Sequence, residues 1–576
     1  MRLGRAARAP QAAAQDARFE IDGTAKSALE VSRNRLVLAG ALFAVAFLVI
    51  AARATDVMVV SGSGAEKSSG EATSLAFDPE RADIRDRNGD LLATSLSTAS
   101  LYADPAIVRD PADVARRLAR TLSDVNEAEI LAKLQSDKRF VWLHRNLTPR
   151  QQYAVNRLGV PGLSFQREWR RVYPHGALAA HVVGFTGIDN HGLAGIERQF
   201  DEALAGHLEP LDLTIDIRVQ HVVRDELLSA MRSFKAIGGT GVVLDAQNGE
   251  LIAMVSLPDF DPNRPGEAPA DARFNRATLG IYEMGSTFKI FTTAAALDSG
   301  TATLRSGYDA THPIHIGRFT IEDYHAKRRW LTVPEIFMYS SNIGAAKMAL
   351  DLGVTSHRAF LDSLGFMQPA PLELPEIGTP MAPRPWREVN TMTIAFGHGL
   401  AVAPIQVVSA TAAMVNGGIL NPPTVIRRAG VDGQHGTRVI SPQTSAEMRK
   451  LMRLVVEQGT GKSADVHGYL VGGKTGTAEK NGVGGYKHKA LLSSFIGAFP
   501  ITDPRYIVLV MLDEPKGTKE SAGYATGGWV AAPAVSRIVQ RIGPMLGVAP
   551  VDGDSPDVKK QLFVSTDPKA PRLASY

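Results

Sequence analysis

Apolar and polar residues are interleaved along almost the whole chain, with one exception. Leu36 to Ala52 reads LVLAGALFAVAFLVIAA, an unbroken apolar run of 17 residues with Arg35 and Arg53 at its ends. As a helix it would be about 26 Å long, slightly short of the ~30 Å hydrocarbon core of a bilayer. The flanking arginines can snorkel to close that gap. No polar stripe divides the run, so it does not read as a buried core helix. Ala52-Arg53-Ala54 has the look of a signal-peptide cleavage triplet. The run is nevertheless longer than a usual signal core and has a long polar lead, which favours an uncleaved anchor over 36–54. Residues 1–35 hold seven Lys/Arg and residues 53–80 hold two. That asymmetry predicts a cytoplasmic tail at 1–35 and export of everything that follows the anchor.

Beyond the anchor the pattern changes several times. Residues 55–76 are small, polar and Gly/Ser-rich, as in a flexible linker. Residues 77–214 mix strand and helix periods, with Asn88-Gly89 marking a hairpin turn. A second unit is expected over 215–545. It opens with a helical period at 216–234, followed by a hairpin in which GVVLDA and ELIAMVS flank Gln247-Asn248-Gly249. Near its end, SSFIGAFP and RYIVLVMLDE form a further hairpin pair. A closing helix follows, with Pro533 in its first turn, Val535, Ile538, Val539 and Ile542 on one face, and Gly543 after it. Asn481 to Lys489 reads as a Gly-rich loop, and 546–576 loses periodicity and is expected to be disordered. Strands at both ends of the second unit, with helical stretches between, predict an α+β fold in which an antiparallel sheet is flanked by helices.

Composition narrows the chemistry. The 576 residues are 44% hydrophobic and 21% charged, enough for two folded units with a large core. The net charge of +4 is small for this length, and no basic run with interleaved aromatics points to nucleic acid. With no cysteine, disulfides, thiolate metal sites and cysteine nucleophiles are all excluded.

Three short stretches carry candidate chemistry. In Gly285-Ser286-Thr287-Phe288-Lys289 a glycine turn opens an apolar helix that Gly300 ends. Ser286 then sits in the first turn, where free N–H groups favour developing negative charge. Lys289 lies one turn along on the same face, within reach to deprotonate the hydroxyl if its amine is neutral. The bland alternative is a capping serine and a solvated lysine. Ser340-Ser341-Asn342 lies between apolar stretches and suits either a helix cap or a cleft wall, with Ser340 relaying a proton and Asn342 holding an amide. In Gly472-Gly473-Lys474-Thr475-Gly476-Thr477 an exposed turn competes with an edge strand. On the strand reading Gly476 lets a peptide lie close, and Lys474, Thr475 and Thr477 receive a carboxylate. A phosphate loop is disfavoured because the first glycine, Gly468, reads as one position out of register, and because Gly476 follows where an apolar helix should open.

S-x-x-K, S-x-N and K-T-G in this order are the signature of penicillin-binding proteins and class A β-lactamases. Over nearly all of residues 35–545 the chain resembles a class B penicillin-binding protein of the septal, cell-division type. Further stretches carry the resemblance. Arg81-Ala82-Asp83-Ile84-Arg85-Asp86-Arg87-Asn88-Gly89 is similar to the opening motif of that family's pedestal. Arg171-Val172-Tyr173-Pro174-His175-Gly176, with His181, Gly184, Gly192, Gly195 and Glu197, is similar to the second pedestal motif. Gly397-His398-Gly399 and Gly527-Gly528-Trp529 match two other family segments. Ala82 departs from the glycine common there, which leaves the geometry of that turn open. His398 has no second and third ligand at metal spacing and reads as structural.

The resemblance implies a transpeptidase fold on an elongated α+β pedestal, covering 215–545 and 77–214. It implies that Ser286 attacks the D-Ala–D-Ala stem peptide, with Lys289 as base, Ser340 as proton relay and Asn342 on the substrate amide. Lys474, Thr475, Gly476 and Thr477 would line the substrate, and the N–H groups of Ser286 and Thr477 would form an oxyanion hole. The implied ligands are peptidoglycan stem peptides and β-lactams, with no cofactor or metal. The implied partners are the membrane, a polytopic membrane glycan polymerase and other division proteins. The implied location is the bacterial inner membrane, with the catalytic part periplasmic. An elongation-type transpeptidase, a D,D-carboxypeptidase and a β-lactam sensor are the alternatives.

Overall fold

The computed structural model describes residues 41, 43–48, 80–206, 209–317, 319–427, 436–482 and 485–566. The expected tail 1–35, most of the anchor 36–54, the linker 55–76 and residues 567–576 lie outside them. Residues 41 and 43–48 are helical, and no helix among the described residues is long and apolar enough to cross a membrane.

From residue 80 the chain first builds a five-stranded sheet. Its strands are β1 (Ile84–Arg85), β2 (Leu91–Ala103), β3 (Val141–Leu147), β4 (Leu163–Val172) and β5 (Leu211–Asp212). They run in the order β3-β2-β1-β5, with β4 also paired to β2. Helices α1 (Pro111–Thr121) and α2 (Glu127–Leu134) start where Asp110 and Asn126 cap free N–H groups. Their Val114, Leu118, Ile130 and Leu134 pack with Leu101, Ala103 and Leu143 of the sheet. The Asn88-Gly89 turn joins β1 to β2. The Asp86 carboxylate accepts from Asn88 N at 2.7 Å and Asp90 N at 2.9 Å, and it also holds Ile217 N at 3.1 Å. The turn is thus tied to the helix that opens the second sheet. Ala82 is buried, donates its N–H to Leu204 O and lies outside the positive-φ region, so its methyl group strains nothing.

The two pedestal-like motifs meet on Glu197, which is fully buried. Arg81 reaches Glu197 Oε2 through Nε at 3.0 Å and Nη2 at 2.8 Å, while Arg171 Nε reaches Oε1 at 2.6 Å. Arg81 also pairs with Asp201 at 2.6 Å, so the cluster is close to neutral. Removing Glu197 would leave two buried guanidiniums short of charge. Breaking a buried pair in this way costs about 3–5 kcal/mol. Glu197→Ala is therefore expected to lower the thermal unfolding midpoint of the purified protein by several degrees. An unchanged midpoint would mean that water reaches the cluster.

The second sheet follows helix α3 (Ile217–Phe234), which Asp216 caps. Its strands are β6 (Gly238–Asp245), β7 (Leu251–Leu257), β8 (Gly472–Gly482), β9 (Gly485–Phe499) and β10 (Tyr506–Asp513). The order is β8-β9-β10-β6-β7 and every pairing is antiparallel. Side chains alternate between faces. Val242, Leu244, Leu509 and Met511 join one core, and Val243, Val508, Val510 and Phe495 join the other. The first core is closed by α4 (Lys289–Asp298), α5 (Val333–Tyr339), α6 (Asn342–Leu352), α7 (Pro404–Val415) and α8 (Pro442–Glu457). The second is closed by α3 and α9 (Ala532–Met545). Each fully buried Val or Leu contributes roughly 1.5–3 kcal/mol, so an unpaired charge at any of these apolar positions would be costly.

Three sequence expectations are corrected. The closing helix does not stop before Gly543 but runs to Met545. Gly543 is there for packing, since a Cβ on it would lie 2.5 Å from the Tyr469 ring. Of the stretch 481–489, read as a loop, residues 481–482 continue β8 and 485–489 open β9, with Asn481 opposite Tyr486 and Gly482 opposite Gly485. Backbone pairing needs no apolar pattern, so the sequence did not announce it. The expected disorder from 546 also fails up to residue 566. Ser555 caps α10 (Pro556–Leu562), and Val551, Val558 and Leu562 rest on the core. Seven residues are too few to show a helical period.

Candidate active site

The nucleophile-like turn, Gly285–Phe288, is a 3-10 turn leading into α4. Gly285 has φ +54°, and a Cβ on it would stand 2.5 Å from Thr477 O of β8. Only glycine satisfies both conditions. Along an antiparallel strand the N–H and C=O of one residue point to the same side. Thr477 O lies against Gly285, so Thr477 N–H also faces the turn that carries Ser286.

Lys289 is buried, and its Nζ is ringed by acceptors. It lies 2.8 Å from Ser286 Oγ, 2.9 Å from Ser340 O, 3.1 Å from Ser340 Oγ and 2.7 Å from Asn342 Oδ1. Ser340 ends α5 in the left-handed region with φ +61°. That conformation is uncommon for a non-glycine residue. It turns both the carbonyl and the hydroxyl of Ser340 toward Lys289. Ser341 caps α6 by accepting from Gly344 N, so the capping reading of this stretch also holds. Asn342 is used at both ends, with Oδ1 on Lys289 and Nδ2 donating to Glu322 O at 2.9 Å.

Lys474 lies 134 residues beyond Ser340 in sequence, yet its buried Nζ donates to Ser340 Oγ at 2.9 Å. Two buried amines therefore share one hydroxyl. Burial and then the charge of Lys474 drive the Lys289 pKa well below the ordinary lysine value, against a smaller opposing pull from Asp323. Burial alone brings Lys474 down to about 7. The arrangement can hold a neutral amine against a serine hydroxyl beside a second amine that gains or loses its charge around neutral pH.

The remaining β8 residues depart in part from expectation. Gly476 does not face an open groove. A Cβ there would meet Ser494 Oγ at 2.4 Å and Met284 O at 2.8 Å, so the missing side chain makes room for the nucleophile turn. Thr475 is buried with its hydroxyl 2.7 Å from Thr460 Oγ1, and Thr477 Oγ1 accepts from Gly527 N at 3.1 Å. Gly468 to Thr475 does satisfy the spacing of a phosphate loop. What excludes one is that strand β8 follows, where such a loop would open a helix.

Several contributors had no local signal in the sequence. Asp323 accepts from Asn342 N at 2.6 Å, Ile343 N at 3.0 Å and Ser341 Oγ at 2.7 Å, and so anchors the start of α6. Asp323→Ala is expected to cost about 1–2 kcal/mol at the cap. Loosening Asn342 should also slow acylation by a labelled penicillin roughly tenfold, a ~1.4 kcal/mol rise in barrier. An unchanged rate would show that Asn342 is held by other contacts. Phe396 presents its ring 5.9 Å from Lys289 Nζ, and Thr460 stands behind Thr475.

Comparison with known proteins follows the same division of the chain. The family described as "Penicillin binding protein transpeptidase domain" matches residues 239–540, and "Penicillin-binding Protein dimerisation domain" matches residues 76–210. The chain is 43% identical over 481 residues to the probable peptidoglycan D,D-transpeptidase FtsI of Caulobacter vibrioides, covering 81% of this chain and 82% of that one. It is 35% identical over 504 residues to the probable peptidoglycan D,D-transpeptidase PenA of Neisseria meningitidis, covering 82% and 85%. Among solved structures, penicillin binding protein 3 of Mycobacterium tuberculosis complexed with aztreonam aligns with a TM-score of 0.65 at 25% identity. That alignment covers 83% of this chain and 98% of that one.

Proposed function

The chain belongs to the class B penicillin-binding proteins, and from that premise we propose that it is a septal peptidoglycan D,D-transpeptidase in which Ser286 is the nucleophile. The observation that carries the residue assignment is the 2.8 Å contact of a buried, charge-depleted Lys289 with Ser286 Oγ. Neutral Lys289 takes the hydroxyl proton as Oγ attacks the carbonyl of the penultimate D-Ala of a donor stem peptide. The oxyanion develops toward the N–H groups of Ser286, at the start of its turn, and of Thr477. Ser340, bridging Lys289 and Lys474, hands a proton to the departing D-Ala amine. Asn342 keeps Lys289 in place and has one amide hydrogen left for the donor. Charged Lys474, with the Thr475 and Thr477 hydroxyls, receives the terminal carboxylate. An amine of a second stem peptide then captures the acyl group. A β-lactam enters by the same route and stays on Ser286.

Residues 77–214 act in this proposal as the pedestal of the catalytic unit 215–545. Residues 36–54 are its membrane anchor, with 1–35 cytoplasmic, 55–76 a linker and the catalytic unit in the periplasm. The apolar run 36–52 and its charge asymmetry support that placement. A polytopic membrane glycan polymerase and other division proteins are the proposed partners, on the family resemblance. The test is a reaction of the full-length protein with a D-Ala–D-Ala donor and an amine acceptor, followed by mass spectrometry. The amide-linked product is expected, and release of the acid alone would point to a hydrolase.

A further inference from the structure

The loop Gly397-His398-Gly399 has no part in the steps above, yet it is clamped onto the nucleophile turn. Gly285 N donates to Gly397 O at 3.3 Å, and a Cβ on Gly397 would fall 2.0 Å from Gly285 O. His398 packs against Phe396 with centroids 5.4 Å apart, on the same ring that Lys289 Nζ approaches at 5.9 Å. Its Nδ1 lies 3.6 Å from Glu283 Oε2, while the other oxygen of Glu283 accepts from Gly399 N at 3.0 Å. The His398 side chain is 27% exposed, whereas Lys289 is 1% exposed. Three titratable groups act on the imidazole: Glu283 before the turn, Lys289 on α4 and Glu479 on β8. Burial is the largest influence and keeps His398 below its ordinary pKa, so at neutral pH it is a free base.

The second half-reaction has a proton to dispose of. The acceptor amine arrives as an ammonium with a pKa of ~10, and only its neutral form attacks. One proton must leave before the nitrogen bonds to the ester carbonyl. A second passes from that nitrogen through Lys289 to Ser286 Oγ as the ester bond breaks. The products are an amide, free Ser286 and one proton on a base. Lys289 is enclosed and occupied with Ser286, Ser340 and Asn342, so a base nearer solvent fits the first proton better. We propose, on the transferase reading above, that His398, oriented by Glu283, takes this first proton from the acceptor ammonium and releases it to solvent.

The test separates the two half-reactions in the full-length protein. An N-acyl-D-alanyl thioester serves as donor and D-alanine as acceptor, and a labelled penicillin reports acylation alone. His398→Gln is expected to slow transfer to D-alanine by ~30-fold or more and penicillin labelling by at most ~3-fold, in keeping with loss of one general base. The acid limb of the wild-type transfer profile should carry an ionisation that penicillin labelling lacks, and that ionisation should be missing in this variant. In Glu283→Gln the limb should move to lower pH, since the carboxylate raises the His398 pKa. Equal losses in labelling and transfer would overturn the proposal, because His398 would then only shape the turn. Transfer at the wild-type rate would overturn it as well. A wild-type protein that yields acid and no amide would overturn the transferase reading, and this one with it.

Discussion

Ser286→Ala is expected to abolish covalent labelling by a fluorescent penicillin while leaving the unfolding midpoint close to that of the wild type. Loss of labelling should be complete because, among the described residues, the other hydroxyl beside Lys289 is that of Ser340, which is already held. Ser340 Oγ is bound by two amines, and Thr475 Oγ1 is hydrogen-bonded to Thr460 Oγ1, with no amine among the described residues bonded to it to take its proton. The fold should survive because Lys289 keeps three other acceptors, Ser340 O, Ser340 Oγ and Asn342 Oδ1. No buried donor is therefore left unsatisfied. Mass spectrometry of the penicillin-labelled wild type should place the adduct on the peptide that contains Ser286. Labelling retained in the variant would put the nucleophile elsewhere.

Lys289→Arg is expected to slow acylation roughly 10³-fold, the scale of losing a positioned base. A guanidinium stays charged at any working pH, so it cannot take the serine proton. It would also bring a fixed charge into the pocket already shared with Lys474. Lys289→Met, which removes the base without adding a charge, should lose about as much rate. The wild-type pH profile follows from the direction of the shift. Lys289 titrates well below the ordinary lysine value. Its neutral form is therefore present above that lowered pKa and is lost as pH falls through it. Acylation should rise with pH across an ionisation far below ~10, and Lys289→Met should lack that rise. Stopped-flow measurement with a chromogenic β-lactam decides the matter. A Lys289→Arg protein within tenfold of wild type would mean that the proton leaves Ser286 by another route.

Both expectations rest on residues whose types and local spacing were legible in the chain. Gly285, Ser286 and Lys289 sit within five positions, and the helix after them was visible from its apolar period. The hairpin around Gln247-Asn248-Gly249 and the helix capped by Asp216 were readable for the same reason, since turn chemistry and periodicity are local. Asp323, Glu283, Phe396 and Thr460 were not readable as parts of the site. Each acts across tens to hundreds of residues of separation, where no period or spacing survives. The role of Gly476 was misjudged for a related reason. A glycine in a strand signals a close approach, but not which backbone or side chain approaches.

The amino-acid sequence determined the ingredients: an apolar run flanked by arginines, alternating strands, capped helices and three short polar motifs in a fixed order. These are properties of neighbouring residues, and short-range sterics and hydrophobic periodicity set them. The tertiary structure alone decided that two lysines 185 positions apart would share the hydroxyl of Ser340. It also decided that Lys289 would be buried deeply enough to lose its charge. Burial and the approach of like charges belong to the packed core, so the chemistry of that amine does not exist until the sheet and its helices have closed around it.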